Sequence, residues 1–241
     1  MIQRNHILNA LNFIRCNSDF ASLPNDQTRF VSSAYSNLKE ASDNKWKFEI
    51  PLLEVPISNK ELKRHSPTLL IGGLIEGKKD DITRSSFSIS ITFTTESSTH
   101  RASVKSLNTD SCCLDKFMSK KRVVRRFHFD FQPNDQVKPA SHFQYGGKFP
   151  ESEYIDCHYC LEHHLETPRF HYPPMDLVLL LDLIIREFET PLRKLTYEPA
   201  WKGLVIKSEE LWWKAYWNRH SGHFDRLGPR CTLHEQIYGE S

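Results

Sequence analysis

Apolar and polar residues alternate almost strictly along "SSFSISITF" (85–93). Phe87, Ile89, Ile91 and Phe93 fall on one side, and Ser86, Ser88, Ser90 and Thr92 on the other. A period of two predicts a β-strand with one buried face, here extended to 85–96. Comparable β-rich runs at 46–55, 68–77 and 122–132, and the short "SHFQYGG", predict further strands of an antiparallel meander. At the N-terminal end the period lengthens to that of a helix. Ile7, Leu8, Leu11 and Ile14 predict one helix over 3–15. Phe30, Ala34, Leu38 and Ala41 form the stripe of a second, with Asp26 of "PND" as its cap.

Beyond the strands, "MDLVLLLDLII" is apolar nearly all round. It predicts a deeply buried helix over 174–189, opened by the double proline at 173–174. "SEELWWKAYWNRH" (208–220) predicts a shorter, aromatic-rich helix. Helices, then a meander, then helices give an α+β fold, read as one domain over 1–241. The polar stretch 97–116 is read as a long loop or flap.

Composition narrows the picture modestly. A chain of 241 residues that is 39% hydrophobic and 26% charged is long enough to bury a core. A formal charge of +2 does not announce a nucleic-acid partner, so such a role would need a local patch. The longest apolar run is too short to cross a bilayer and holds two aspartates, Asp176 and Asp182. With an amphipathic start in place of a signal peptide, and six dispersed cysteines, the expected setting is a reducing cytoplasm without membrane association.

Four groups of residues carry candidate chemistry. In "RRFHFDFQ", alternation sends Phe127, Phe129 and Phe131 to one face and Arg126, His128, Asp130 and Gln132 to the other. If "SHFQY" pairs with that strand, His128, Asp130, His142 and Gln144 share a face. An imidazole beside a carboxylate is the minimum for general acid–base catalysis or a mononuclear metal site. The plainer reading is a polar sheet face that is solvated or covered by a polar lobe.

Cys157 and Cys160 have the spacing of a zinc knuckle, and "CTLH" repeats the gap with Cys231 and His234. Together they make a Cys3His set in which His163 or His164 can substitute. Zinc there would be structural, stapling a small lobe from 148–172 and 221–241; the alternative is a set of unrelated reduced thiols. The run "KKRVVRR" offers Lys120, Lys121, Arg122, Arg125 and Arg126 for phosphate contact, beside His100, Arg101 and Lys105 of the flap. Alternation along a strand would split that run between two faces. Trp212, Trp213, Tyr216 and Trp217 cover more than one face of their helix; buried they cement the core, exposed they anchor a partner. The sequence holds no phosphate-binding glycine loop, nucleophile elbow or metalloprotease helix motif.

"KPASHFQYGG" followed by "PRFHYPPMDLVLLLDLIIREF" resembles small bacterial proteins of mobile defence islands. In these a His-x-Gln-x-Gly-Gly strand precedes a Pro-Arg…Pro-Pro-Met-Asp helix start. The resemblance spans roughly residues 121 to 190, and in size and character it points to the small accessory subunit of Lamassu-type complexes. It implies a non-catalytic subunit working with an SMC-like ATPase and a nuclease effector, against phages and plasmids, with double-stranded DNA as a further contact. It transfers no catalytic residues. The competing expectation is a small metal-dependent nuclease or toxin using His128, Asp130 and His142.

Overall fold

A computed structural model describes residues 3–23, 27–42, 44–58, 67–79, 81–93, 122–132, 140–145 and 169–221. Among the described residues, six strands form one antiparallel sheet in sequence order. They are β1 (Trp46–Pro56), β2 (Thr68–Lys78), β3 (Asp81–Phe93), β4 (Arg122–Phe131), β5 (Ser141–Tyr145) and β6 (Arg169–His171). The α+β meander expected from the alternating runs is the fold observed. The strand β6 was not expected: its three residues are too few to show a period, and it pairs with β5 through Phe143 and Phe170.

On one face of β1–β3 the apolar residues meet two helices, α1 (Gln3–Cys16) and α3 (Gln27–Glu40), joined by the single turn α2 (Ser18–Ala21). Ile7, Leu11 and Ile14 of α1 are buried at helical spacing, as are Val31, Ala34 and Leu38 of α3. The expected cap, Asp26, lies outside the described residues. Arg4 fastens the two helices. Its guanidinium is buried and donates to the carbonyls of Leu38 (2.8 Å) and Ala41 (2.7 Å), satisfying the C-terminal end of α3.

Glycine decides one packing detail of the sheet. Trp46 pairs across with Gly77, where a Cβ would stand 2.0 Å from the indole ring. The indole therefore fills the space beside Gly77, and its Nε1 donates to the Lys79 carbonyl at 2.7 Å.

The apolar helix α4 (Leu177–Glu187) is buried nearly all round. It begins at Leu177, three residues later than Pro174, because Asp176 takes the N-cap: its Oδ1 accepts from the Leu179 amide at 2.9 Å. The prolines sit ahead of that cap instead of inside the first turn. Asp182, the polar residue of the helix core, accepts from Trp201 Nε1 (2.9 Å) and Arg186 Nε (2.6 Å). A 3-10 turn (Pro191–Tyr197) leads to α5 (Pro199–Ser208). The chain then runs through a π-helical segment (Glu209–Lys214) into α6 (Ala215–Ser221). The aromatic-rich segment is thus the end of a longer helical run. Among the described residues, no helix is long and apolar enough to cross a membrane.

Candidate functional site

Register brings the polar residues of β4, β5 and β6 together as alternation requires. Asp130 lies opposite His142, His128 opposite Gln144, and His142 opposite His171. The Phe127, Phe129 and Phe131 side chains take the other face, which Phe143 and Phe170 share. Asp130 is the centre of the polar group. Its Oδ1 accepts from Ser86 Oγ at 2.5 Å, and its Oδ2 lies 3.5 Å from His142 Nε2.

His142 is 3% exposed and Arg126 8%, while Asp130 is 27% exposed. Of the two forms of the plainer expectation, a solvated face or one covered by a polar lobe, the solvated form does not hold at His142 and Arg126. Burial has electrostatic consequences. It pushes the His128 imidazole down to about 4, with the Arg126 charge adding to the effect against the opposing pull of Asp130. Burial alone would raise Asp130. Hydrogen bonds from His142 and Ser86, with the neighbouring imidazoles, outweigh it and hold the carboxyl below its ordinary range. Desolvation lowers Arg126 to about 10, so it stays charged at neutral pH.

At pH 7 the group is therefore a neutral His128, an ionised Asp130 and a cationic Arg126. The His128 Nε2 atom is buried without a hydrogen-bond partner among the described residues. The Ser86 hydroxyl gives its proton to a carboxylate, since a carboxylate only accepts. It is therefore not paired with an imidazole base as an activated nucleophile would be. The structure joins Asp130 to His142 and sets His128 on the same face. Among the described residues, however, no three histidine, cysteine or carboxylate side chains converge as a metal site.

The other sequence candidates fare differently. Cys157, Cys160, Cys231 and His234 lie outside the described residues, as do Lys120 and Lys121. So does nearly all of the two segments expected to form a zinc-stabilised lobe. Arg122 and Arg125 lie in β4. Arg126 is buried on the polar face, so the basic run is not one continuous exposed patch.

In the aromatic segment, Trp212 is 6% exposed and packs edge-on against Phe131 at 5.5 Å. It belongs to the core and offers no surface to a partner, which corrects its assignment as a contact residue. Trp213 is half-buried, its Nε1 donating to the Pro174 carbonyl at 3.0 Å. Tyr216 stacks on His171 at 5.3 Å. Trp217 is 54% exposed and remains available.

Sequence reasoning missed a second buried polar group. His6 Nε2, from α1, lies 2.7 Å from Ser208 Oγ at the end of α5, and that hydroxyl donates to Asp176 Oδ2 at 2.7 Å. His6 Nε2 is 3.6 Å from the same carboxylate oxygen. The residue types are those of a hydrolase triad, but the order is wrong. Serine stands between histidine and aspartate, gives its proton to the carboxylate, and is fully buried. The set is a clamp joining α1, α4 and α5. Its sequence signal was half present, in a capping aspartate after two prolines; nothing local linked it to residues 6 and 208.

The chain matches no family model, no curated protein and no solved structure.

Proposed function

We propose that the chain is a non-catalytic accessory subunit of a bacterial antiviral or anti-plasmid defence complex. It docks on an SMC-like ATPase and bridges that ATPase to a nuclease effector and DNA. The motif resemblance over residues 121–190 supports the family of systems. The observation that carries the docking role is Trp217. In a helical run whose other tryptophans are secured by the core and by Pro174, this one is left 54% exposed. Among the described residues its ring contact is an edge-on one with Tyr216 at 5.0 Å, and tryptophan is enriched among the anchors that dominate protein interfaces. Affinity purification from the native operon, with mass spectrometry of co-eluting proteins, tests the reading. Recovery of a large ATPase in stable proportion is expected. A chain that elutes alone at native expression overturns it.

A small metal-dependent nuclease or toxin using His128, Asp130 and His142 is the second reading. It is favoured by the Asp130–His142 contact and by the unpartnered His128 Nε2. Loss of protection in His128→Ala or His142→Ala, at normal abundance and partner binding, would put the enzyme in place of the subunit. Structural zinc at Cys157, Cys160, Cys231 and His234 belongs to the proposal on sequence spacing alone. Elemental analysis of untagged protein should find about one equivalent if all four are ligands.

A further inference from the structure

Strand register sorts the polar face of β3–β6 into rows. Ser88, His128, Gln144 and Arg169 stand opposite one another across four strands, and Ser90 faces Arg126 in the row beside them. On the other side runs the row of Ser86, Asp130 and His142. That row is satisfied from within, since Asp130 accepts from Ser86 and lies against His142. The neighbouring rows are not. The side chains of Ser88, Ser90, His128 and Arg169 make no hydrogen bond or ion pair among the described residues. His128 is the costliest case, because its Nε2 is both buried and unpartnered. A polar atom in that state needs a partner held on the face in place of bulk solvent. Ser88, Ser90, His128 and Arg169 are only half-buried as residues, so a small group can approach them, whereas His142 is closed off.

The chemistry of the unmet groups selects the occupant. Arg169 lies on the edge strand β6, and Arg126 stays charged although buried. Guanidinium only donates, hydroxyls can donate, and a neutral imidazole donates from Nε2 in one of its tautomers. Asp130 is the carboxylate of these rows; it opposes an anion, but Ser86 and His142 hold it and the two guanidinium groups outnumber it. A cation would meet like charge here, and an apolar group would leave the donors unmet. Donors arriving from three strands suit the several oxygens of a tetrahedral phosphate better than the two coplanar oxygens of a carboxylate.

We propose that Ser88, His128 and Arg169, with Arg126 adding positive charge, form a binding site for the phosphate group of a small molecule. This does not rest on the ATPase-docking role, which uses the helix bearing Trp217. It also differs from the nuclease reading: His128 holds a ligand here, with no metal and no bond made or broken.

The test is isothermal titration calorimetry of the full chain at fixed ionic strength, with inorganic phosphate, a nucleoside 5′-monophosphate and acetate. Saturable binding of the phosphates is expected, at least about tenfold tighter than acetate. Equal affinity for both phosphates would make the phosphate group the whole ligand. Tighter binding of the monophosphate would identify an ester that uses neighbouring surface as well. Arg169→Gln should weaken binding roughly tenfold, as loss of a charge-assisted hydrogen bond does, and Arg169→Lys should fall between it and the parent. Ser88→Ala should weaken binding about threefold. Arg84→Gln is the control, because Arg84 of β3 is already paired with Glu76 at 4.0 Å; it should bind as the parent does. Thermal unfolding of each free variant separates lost binding from lost fold, and Ser88→Ala decides the matter if Arg169→Gln does not fold. Three results would each overturn the site: no saturable binding of either phosphate, which would leave water alone to satisfy His128; acetate bound as tightly; or parental affinity in the folded variants of Arg169 and Ser88.

Discussion

The Ser208 hydroxyl donates to Asp176 Oδ2 at 2.7 Å, while the other oxygen of the same carboxylate caps α4 through the Leu179 amide. One side chain therefore ends a loop, starts a buried helix and receives a hydroxyl from a residue 32 positions later. Ser208→Ala removes the bridge between His6 and Asp176 and leaves a buried polar atom on each short of a partner. A loss of about 1–3 kcal/mol in urea unfolding is expected. Asp176→Ala, which also removes the cap, should cost more. A serine-directed phosphonate should leave the native protein unlabelled, because the hydroxyl is fully buried.

Exposed positions on the same helical run offer gains in stability. Gly203 lies inside α5, and an added Cβ would meet nothing within 4 Å. Gly203→Ala should stabilise the chain by roughly 0.5–1 kcal/mol through the reduced backbone entropy of the unfolded state. A midpoint of thermal unfolding that fails to rise would show that the open space there is filled.

Lys79, at the tip of the β2–β3 hairpin, has φ of 56°, a left-handed conformation that glycine and asparagine adopt at lower cost. Lys79→Asn should raise the unfolding midpoint. The Trp46 indole bonds only to the backbone carbonyl there, so that contact survives the change. A lowered midpoint would mean that the lysine side chain contributes more than the turn geometry costs.

The parts of this fold legible in the sequence are those whose period is self-contained. Residues 85–93 show their strand because alternate serines and apolar residues meet different surroundings, and Asp130 and His142 come together because a meander of neighbours leaves few other pairings. What escaped notice depends on distant partners or on very short elements. β6 is three residues long. The α5 helix presents Trp201 and Val205 to the core around an exposed Gly203, too sparse a stripe to reveal a helix. The His6–Ser208 contact spans 202 positions. Alternation correctly separated the two faces of β4 and β5. It carried no information on whether the polar one was wet, because burial there depends on what lies over the sheet.

Burial of His128 makes acid sensitivity a specific expectation. Its imidazole titrates near 4 in the fold against an ordinary value of 6.5. As the pH falls below 6.5 the unfolded chain takes up a proton that the folded chain refuses, so stability declines until the pH reaches about 4. The shift corresponds to at most about 3 kcal/mol. His6, lowered chiefly by burial against the pull of Asp176, adds in the same direction. Asp130 contributes below this range, since its lowered carboxyl loses its stabilising effect only as pH falls through its folded value. Urea midpoints at pH 7, 5.5 and 4.5 should fall progressively for the parent, and His128→Gln should flatten that decline. An equal decline in the variant would remove His128 as its source.

Trp212 and Trp217 lie five residues apart on one helical run and predict opposite outcomes when truncated. The Trp212 side chain is packed against Phe131 inside the core, and Trp212→Ala should cost about 3–5 kcal/mol of stability through the cavity it leaves. Such a variant will lose any partner, but only because it loses its fold. Trp217 is 54% exposed, and its visible contact is an edge-on one with Tyr216 at 5.0 Å. Trp217→Ala should therefore unfold within about 0.5 kcal/mol of the parent, as surface substitutions do. If Trp217 anchors the ATPase, truncation should weaken the complex by about 2 kcal/mol, roughly thirtyfold in affinity. Thermal unfolding of the free chain, run beside size exclusion of the reconstituted complex, separates the two effects. A Trp217→Ala chain that is stable and still co-elutes at the parental affinity would move the docking surface elsewhere on the molecule.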